Sequence, residues 1–576
     1  MLLRRDDKVA NSNGQGQPPK ANSAHAHSSS KRSNWRQQVV RDQLGHTSHT
    51  GSQSRSISPP VRLPMTSQPR LAPLRLRFII VGGSIGGLAA AFALARAGHR
   101  VQVLEKKDSL VKNACGIRIP PNLARILERW GVGKEFKDKA ILCNKLTFRK
   151  LHTGEILGHL EYKEEVMKVL EADFWLMHYS DLLELLYSLA ISVGAVIKFG
   201  SEVTSIDENA PSVTVSTGEV FTADLIIGAD GYHSICQQLI ENALVEDGEE
   251  KHERVDSGTV VYSMNANVSD ITPESDPELY ELVHRPEWTA YAGPYVSVLT
   301  SPSRNYNEFS VQIFNPDVPG TSDTWDRVVP VETIDTTNFP RVLLELSRRS
   351  KTAVETKFVK RKIEDWIHPN SKIVLLGESA HPQIPSSTHS GSLAVEDAAV
   401  LGAIFSRLRT HDQIPNFLQG YEELRMERCW EIQKSESDNS SSVMLPDGPE
   451  QEERDRSMRE AAKLESGGWD EAMFRHLWEN IRILFAYDPE EDAEEWWQRW
   501  GILREHAESG FGLDKLTVET ADFDNEEDKA ESYIGNRYTR FGSLFNIYDS
   551  DDDFSIARNH FSLTRAVTFI VESSQC

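Results

Sequence analysis

Three short stretches set glycine beside an acid, and the first carries residue types suited to gripping a dinucleotide. The first is Gly82-Gly83-Ser84-Ile85-Gly86-Gly87, with Glu105 downstream. The second is Gly228-Ala229-Asp230-Gly231, and the third is Gly377-Glu378-Ser379-Ala380-His381-Pro382. Clustered glycines let backbone N–H groups approach a pyrophosphate that side chains would hold off. An acid about 20 residues past such a cluster can accept hydrogen bonds from ribose hydroxyls, and Glu105 meets that spacing. Ser84 falls on the middle glycine of the G-x-G-x-x-G pattern, where its Cβ makes close approach less free. Asp230, taken alone, reads better as an ordinary Asp-Gly turn.

The first stretch needs a strand before it and a helix after it. Phe78-Ile79-Ile80-Val81 is an apolar strand, the run to Ala97 is an Ala- and Leu-rich helix, and Gly98 stops it. Arg100 to Leu104 then reads as a second strand. The whole is a βαβ unit. A competing reading is a membrane span, because Phe78 to Ala95 carries no charge and Gly82-x-x-x-Gly86 would suit helix pairing in lipid. Strand, clustered glycine, helix and second strand at the right distances account for more of the pattern.

Buried strands also lead into the other two stretches, the run from Ala223 that ends in Gly228-Ala229-Asp230-Gly231 and Lys372 to Leu376. Ligands of open α/β sheets bind at such strand ends. His381 lies just past the third strand. Its place before Pro382 invites a proton-transfer role. After a Ser/Thr/Gly-rich loop, Ser386 to Ser392, the spacing predicts a helix over Leu393 to Leu408, with Glu396 and Asp397 near its first turn to suit the dipole. Asn122 is placed to cap a helix over Leu123 to Arg129.

Between the second and third stretches the pattern changes. Ser257 to Ala266, Tyr295 to Thr300 and Glu308 to Phe314 read as antiparallel strands of an inserted sheet. The fold class expected is α/β: a Rossmann-like nucleotide domain with an inserted antiparallel β-sheet domain and a helical C-terminal region. The boundaries read as a disordered basic extension over 1–75, a nucleotide domain over 76–254 and 346–430, and a sheet domain over 255–345. A helical region over 431–510 and an acidic, poorly ordered tail over 511–576 complete the chain.

A net charge of −23 argues against nucleic acid as a partner. The five cysteines form no C-x-x-C pair, so neither a metal site nor a disulfide framework is expected. A cytoplasmic location is the default. The Ser- and Arg-rich first 75 residues, with only Asp6, Asp7 and Asp42 as acids, keep organelle targeting open. The apolar run Phe561 to Val571 has no assigned place, and the oligomeric state is undetermined.

The order and gaps of the three stretches resemble the class A FAD-dependent aromatic hydroxylases, in particular the fungal salicylate hydroxylase-like group. Gly116-Ile117-Arg118-Ile119-Pro120-Pro121-Asn122, Glu396-Asp397-Ala398-Ala399 and Leu445-Pro446-Asp447-Gly448-Pro449 match it too, so the resemblance spans Phe78 to Gly501. It implies FAD bound through Gly82, Gly83, Ser84 and Gly87, with Glu105 on the adenosine ribose. It adds Arg118, Tyr179, Asp230, Glu378 on the ribityl chain, and Gly391 beside the flavin. It also implies NADH or NADPH as co-substrate, O₂, and hydroxylation of a small salicylate-like or polyketide-derived aromatic.

Several positions depart from the family. His-Arg-x-Asp-Leu reads His178-Tyr179-Ser180-Asp181-Leu182, and an arginine after the Asp-Gly motif is Gln237. Gly-Asp is Gly377-Glu378, and Gln-Gly-Ala of the flavin loop reads His389-Ser390-Gly391. A catalytic arginine and tyrosine of many fungal members align with Ser263 and Ser301, so no catalytic residue is assigned. The departures cluster on cofactor-facing positions. They leave two alternatives: a relative with weak or lost FAD binding and no hydroxylase activity, and a flavin oxidase or dehydrogenase on the same fold.

Overall fold

The computed structural model describes residues 69–111, 115–246, 254–317, 325–467 and 481–501. Residues 1–68 of the basic extension, the acidic tail, Phe561 to Val571, Trp469 and Trp478 lie outside them. Residues 69–75, read as part of a disordered extension, instead lie on the folded domain: Ala72 is buried, and the N–H groups of Ala72 and Leu74 donate to the Ala97 and Leu408 carbonyls, each at 2.9 Å.

A five-stranded parallel sheet forms the nucleotide domain. Its order is Ile373–Leu375, Leu225–Gly228, Arg77–Val81, Arg100–Leu104, Val196–Lys198. Its central strands are buried nearly throughout, as both faces of a parallel sheet require. Register decides what this sheet can do. Val81 pairs with Gly228 and Leu104, and Gly228 with Leu375. Hence Gly82, Glu105, Asp230 and Glu378 all leave the sheet at one edge, on neighbouring strands.

The Ile85–Arg96 helix covers this sheet and is not a membrane span; nine of its residues are buried. The Ser390–Phe405 helix packs on it through small residues. A Cβ built on Gly402 would lie 2.7 Å from Ala93 Cβ, and one on Gly86 3.3 Å from Ala394 Cβ. Only glycine allows that approach. No helix among the described residues is long and apolar enough to cross a membrane.

The second sheet has eight strands: Arg327–Pro330, Thr352–Arg361, Arg254–Asn267, Glu308–Pro316, Val296–Ser303, Glu287–Gly293, Lys145–Lys150, Ile156–Glu161. All neighbours are antiparallel except Glu287–Gly293 against Lys145–Lys150. Four of these strands contain residues outside 255–345, and the sequence pattern had missed Glu287–Gly293. One face buries Met264, Val298, Phe309, Val311 and Ile313 beneath the Pro277–Val283 and Arg341–Ser350 helices. Strand alternation then puts Ser263, Asn265, Leu299, Ser301, Ser310 and Gln312 on the other face.

Helices Ile414–Val443, Pro449–Gly467 and Pro489–Trp496 make the C-terminal region. Trp496 and Trp497 are buried packing residues. The long Ile414–Val443 helix is tied to the nucleotide domain by charge. The sequence had placed Glu396 and Asp397 near a helix start, but the helix begins at Ser390 and its first turn holds no acid. Ser390-Gly391-Ser392 reads as loop by composition yet forms that turn. The two carboxylates are instead fully buried one turn on. Arg425 Nε donates to Asp397 Oδ1 at 2.8 Å, and its Nη2 lies 2.8 Å from Glu396 Oε2. Arg428 Nε and Nη2 donate to Glu396 at 2.8 and 3.0 Å. Burial alone would push the Glu396 carboxyl up, but Arg428 and Arg425 hold it at about 2. Asn122 does not cap its helix, which starts at Pro121; its side-chain amide donates to Glu396.

Replacing Arg425 by methionine leaves two buried carboxylates facing one guanidinium. Arg425→Met should lower unfolding stability by about 3–5 kcal/mol, measured by denaturant melts. A loss below about 1 kcal/mol would mean that the cluster is solvated.

Candidate functional site

The first turn is built for close approach. Gly82 has φ +103°, the left-handed region, and a Cβ there would sit 2.3 Å from the Ala229 carbonyl oxygen. A Cβ on Gly87 would lie 1.9 Å from the Gly82 carbonyl oxygen, so the helix can follow the strand this tightly only with glycine. Gly83 N–H donates to Glu105 Oε2 at 2.7 Å, and Lys107 N–H to Oε1 at 2.9 Å. Two amides thus fix the Glu105 carboxylate beside the glycine turn.

Ser84 has φ −89° and ψ −167°, extended backbone that any residue adopts. The missing middle glycine therefore costs no backbone strain. Ser84 stands at the N-cap position of the Ile85–Arg96 helix, yet its hydroxyl caps no amide. It bonds Tyr179 OH at 2.6 Å. Tyr179 opens the Tyr179–Ser192 helix, which the ring of His178 caps by accepting from Ser180 N–H. Burial pushes the Tyr179 phenol up to about 12, and the charges of Glu378 and Glu105 push the same way.

At the next strand end, Asp230 is committed locally. Ser234 Oγ donates to it at 2.6 Å, and the N–H groups of Ile235 and Cys236 at 2.8 and 3.3 Å. It caps the Ile235–Glu246 helix, and burial raises its pKa. Gln237 is buried in that helix's first turn.

Glu378 lies in a short turn after the third strand. Gly377 there has φ +69°, and its N–H donates to Asp397 Oδ2 at 3.0 Å. His381 Nε2 bonds the same oxygen at 2.6 Å. Asp397 thereby holds the turn from behind, and His381 acts as a strut rather than a proton carrier. Sγ of Cys429 joins His381 and Asp397 in a group spanning 4.8 Å, the size of a metal site. The Arg425 guanidinium already supplies the positive charge there. Glu378 itself is half-buried, and its carboxylate accepts no hydrogen bond among the described residues. Burial raises it to about 7, against the pull of His381.

Arg118 and Gly391 meet the site from the other side. Arg118 is buried, donates to the Ser386 carbonyl and lies 4.9 Å from the Trp288 ring centre. A Cβ on Gly391 would lie 2.8 Å from Ile117 Cδ1, so this helix start packs directly on the Gly116–Ile119 strand. His389 Nδ1 and Thr388 N–H share Glu436 Oε1, at 2.7 and 3.1 Å. The Gly116–Ile119 strand also docks on the polar sheet face. Gly116 N–H donates to Ser310 Oγ at 2.6 Å, and Gln312 Nε2 to the Gly116 carbonyl at 3.2 Å. Ser301 flanks that contact.

The fold therefore gathers Gly82, Gly83, Ser84, Gly87, Glu105 and Tyr179 at one turn. It sets Asp230 and Glu378 on adjacent strand ends, and links Arg118 to Gly391 through the Gly116–Ile119 strand and the Ser386 loop. Sequence reasoning missed Glu436 as the anchor of that loop and Asp397 as the holder of the Glu378 turn. No local spacing marks Glu436, which lies 47 residues from His389.

These features fit a flavin dinucleotide, since the turn is a cradle that a Cβ would fill and an unpaired carboxyl waits at a strand end. The model of the FAD binding domain matches residues 75–436. The FAD-dependent monooxygenase OpS4 of Beauveria bassiana is 27% identical, over 66% of this chain and 89% of its own. The 3-amino-4-hydroxybenzoate 2-monooxygenase PtmB3 of Streptomyces platensis is 28% identical, over 69% of this chain and 95% of its own. A salicylate hydroxylase substrate complex, 19% identical, superposes with TM-score 0.56 over 73% of this chain and 97% of its own, which shows the fold. The chain belongs to the FAD binding domain family, on the class A hydroxylase fold, and is an FAD-dependent monooxygenase.

Proposed function

We propose that this monooxygenase hydroxylates a small electron-rich aromatic, using NADH or NADPH and O₂. The observation that carries the reading is the alignment of Glu378, Asp230, Gly82 and Glu105 on four successive strand ends of one parallel sheet. In this reading Gly82, Gly83, Ser84 and Gly87 hold the FAD diphosphate. Glu105 accepts from the adenosine ribose and Glu378 from the ribityl hydroxyls. Arg118 and Gly391 shape the flavin side, and Asp230 acts by fixing the strand end beside them. The bound flavin supplies electron transfer from NAD(P)H to O₂ and delivery of one oxygen atom.

The chain's own contribution to the substrate is the polar sheet face. There the half-buried Ser263 hydroxyl stands on the same face as half-buried, apolar Leu299, while Ser310 and Gln312 are taken up in holding the Gly116–Ile119 strand. That mixture suits a flat ring bearing one or two hydroxyls. PtmB3 is named for a hydroxybenzoate substrate, which supports the aromatic class. The proposed division of labour assigns 76–254 and 346–430 to FAD and the inserted sheet to substrate.

The purified protein, or protein supplied with FAD, should show flavin bands near ~370 and ~450 nm. It should oxidise NAD(P)H faster with a phenolic acid present, yielding a product one oxygen atom heavier. Absence of flavin bands after FAD addition would favour the degenerate relative. Fast NAD(P)H oxidation with no oxygenated product would favour the oxidase.

Glu378 adds a pH test. Its pKa rises from 4.5 to about 7 on folding, so the folded chain keeps a proton that the unfolded chain loses. Stability falls as pH climbs through this window, and the full cost applies above about 7. Without FAD, Glu378→Gln should therefore unfold later than the native protein at pH 8, by about 1 kcal/mol after allowing for partial exposure. The two should coincide near pH 4.5. Equal melts at pH 8 would show that the carboxyl is solvated.

A further inference from the structure

Two positions that depart from the family pattern independently in sequence, Ser84 and Tyr179, touch each other. They lie 95 residues apart, and their hydroxyls are 2.6 Å apart. Ser84 gives up the usual N-cap bond to make this contact, which leaves the first amides of the Ile85–Arg96 helix free to face an anion. Tyr179 cannot easily swing away. Its own N–H donates to the Cys115 carbonyl at 3.0 Å, and Arg304 Nη2 donates to the neighbouring Ser180 Oγ at 2.9 Å.

The phenol also lies within electrostatic reach of both Glu105 and Glu378, the acids at the two outer strand ends of the site. Ser84, which holds the phenol, follows the Arg77–Val81 strand, and that strand lies between the one that ends at Glu105 and those that end at Asp230 and Glu378, so the pair stands between the strand end that fits an adenosine ribose and the one that fits a ribityl chain. What lies between those two groups in FAD is the diphosphate. One hydroxyl of the pair donates to the other, so the pair has one O–H left to donate outward and carries no charge.

We infer that Ser84 and Tyr179 act as one neutral hydrogen-bonding clamp on the FAD diphosphate, in place of a glycine and an arginine. The inference rests on the FAD reading above. Its consequences differ from those of an arginine in two ways. The two hydroxyls are energetically coupled, because removing either breaks the same relay. Binding at this point also responds weakly to salt, because no side-chain charge meets the diphosphate here.

The test is FAD titration of flavin-stripped full-length protein, followed by flavin fluorescence, for the native chain, Ser84→Ala, Tyr179→Phe and the double variant. Circular dichroism melts check that each is folded. Each single change should weaken FAD binding about tenfold, and the double should be no weaker than about the worse single. Raising salt from about 0.05 to 0.5 M should move Tyr179→Arg binding more than native binding. Native binding with single effects that multiply in the double, with unchanged singles, or with equal salt responses overturns the clamp and leaves the FAD reading standing. Failure of the native chain to bind FAD overturns both.

Discussion

Glu396 and Asp397 are two adjacent carboxylates with no exposed surface, and the placing of the Gly377 turn and of the helices around it depends on their neutralisation. Alone, either would carry a desolvation cost of several kcal/mol. Arg425 bridges both, Arg428 adds two bonds to Glu396, and His381 closes on Asp397. The result fastens four elements that are far apart in sequence. They are the Pro121–Arg129 helix through Asn122, the Gly377 turn, the Ser390–Phe405 helix, and the long Ile414–Val443 helix. Breaking one partner leaves the others as uncompensated buried charge, which is why such clusters hold a geometry more sharply than apolar packing does.

Through Asp397 this cluster reaches the cofactor groove. One oxygen accepts both Gly377 N–H and His381 Nε2–H, which sets the turn that presents Glu378. Glu378 itself is left unpaired and is raised to about 7. The contrast has a physical cause. Glu396 and Asp397 face guanidiniums, whereas Glu378 is partly withdrawn from water and, among the described residues, has His381 as the charge that favours its ionised form. A carboxyl held this way has hydrogen-bonding capacity to give a ligand.

Much of the nucleotide domain is legible in the sequence. The βαβ unit, Glu105 and the three strand ends follow from apolar runs and clustered glycines, which are local signals. Ser390-Gly391-Ser392 looked like loop because its composition is that of loops, yet it is the first turn of a helix packed on Ile117. Asn122 looked like a cap, but a buried carboxylate 274 residues away takes its amide. The Glu287–Gly293 strand was missed, and its parallel partner Lys145–Lys150 lies in a part of the chain read as nucleotide domain.

The sequence by itself determined where the chain must turn tightly and which runs must be buried, because glycine conformation and apolar burial are properties of a few consecutive residues. Only the tertiary structure decided who meets whom. It brought Ser84 to Tyr179, gave Glu396 and Asp397 to Arg425 and Arg428 instead of a helix dipole, and turned Asp230 onto its own following helix. Side-chain hydrogen bonds and ion pairs depend on distance in space, and in a sheet threaded by long insertions that distance has no fixed relation to separation along the chain.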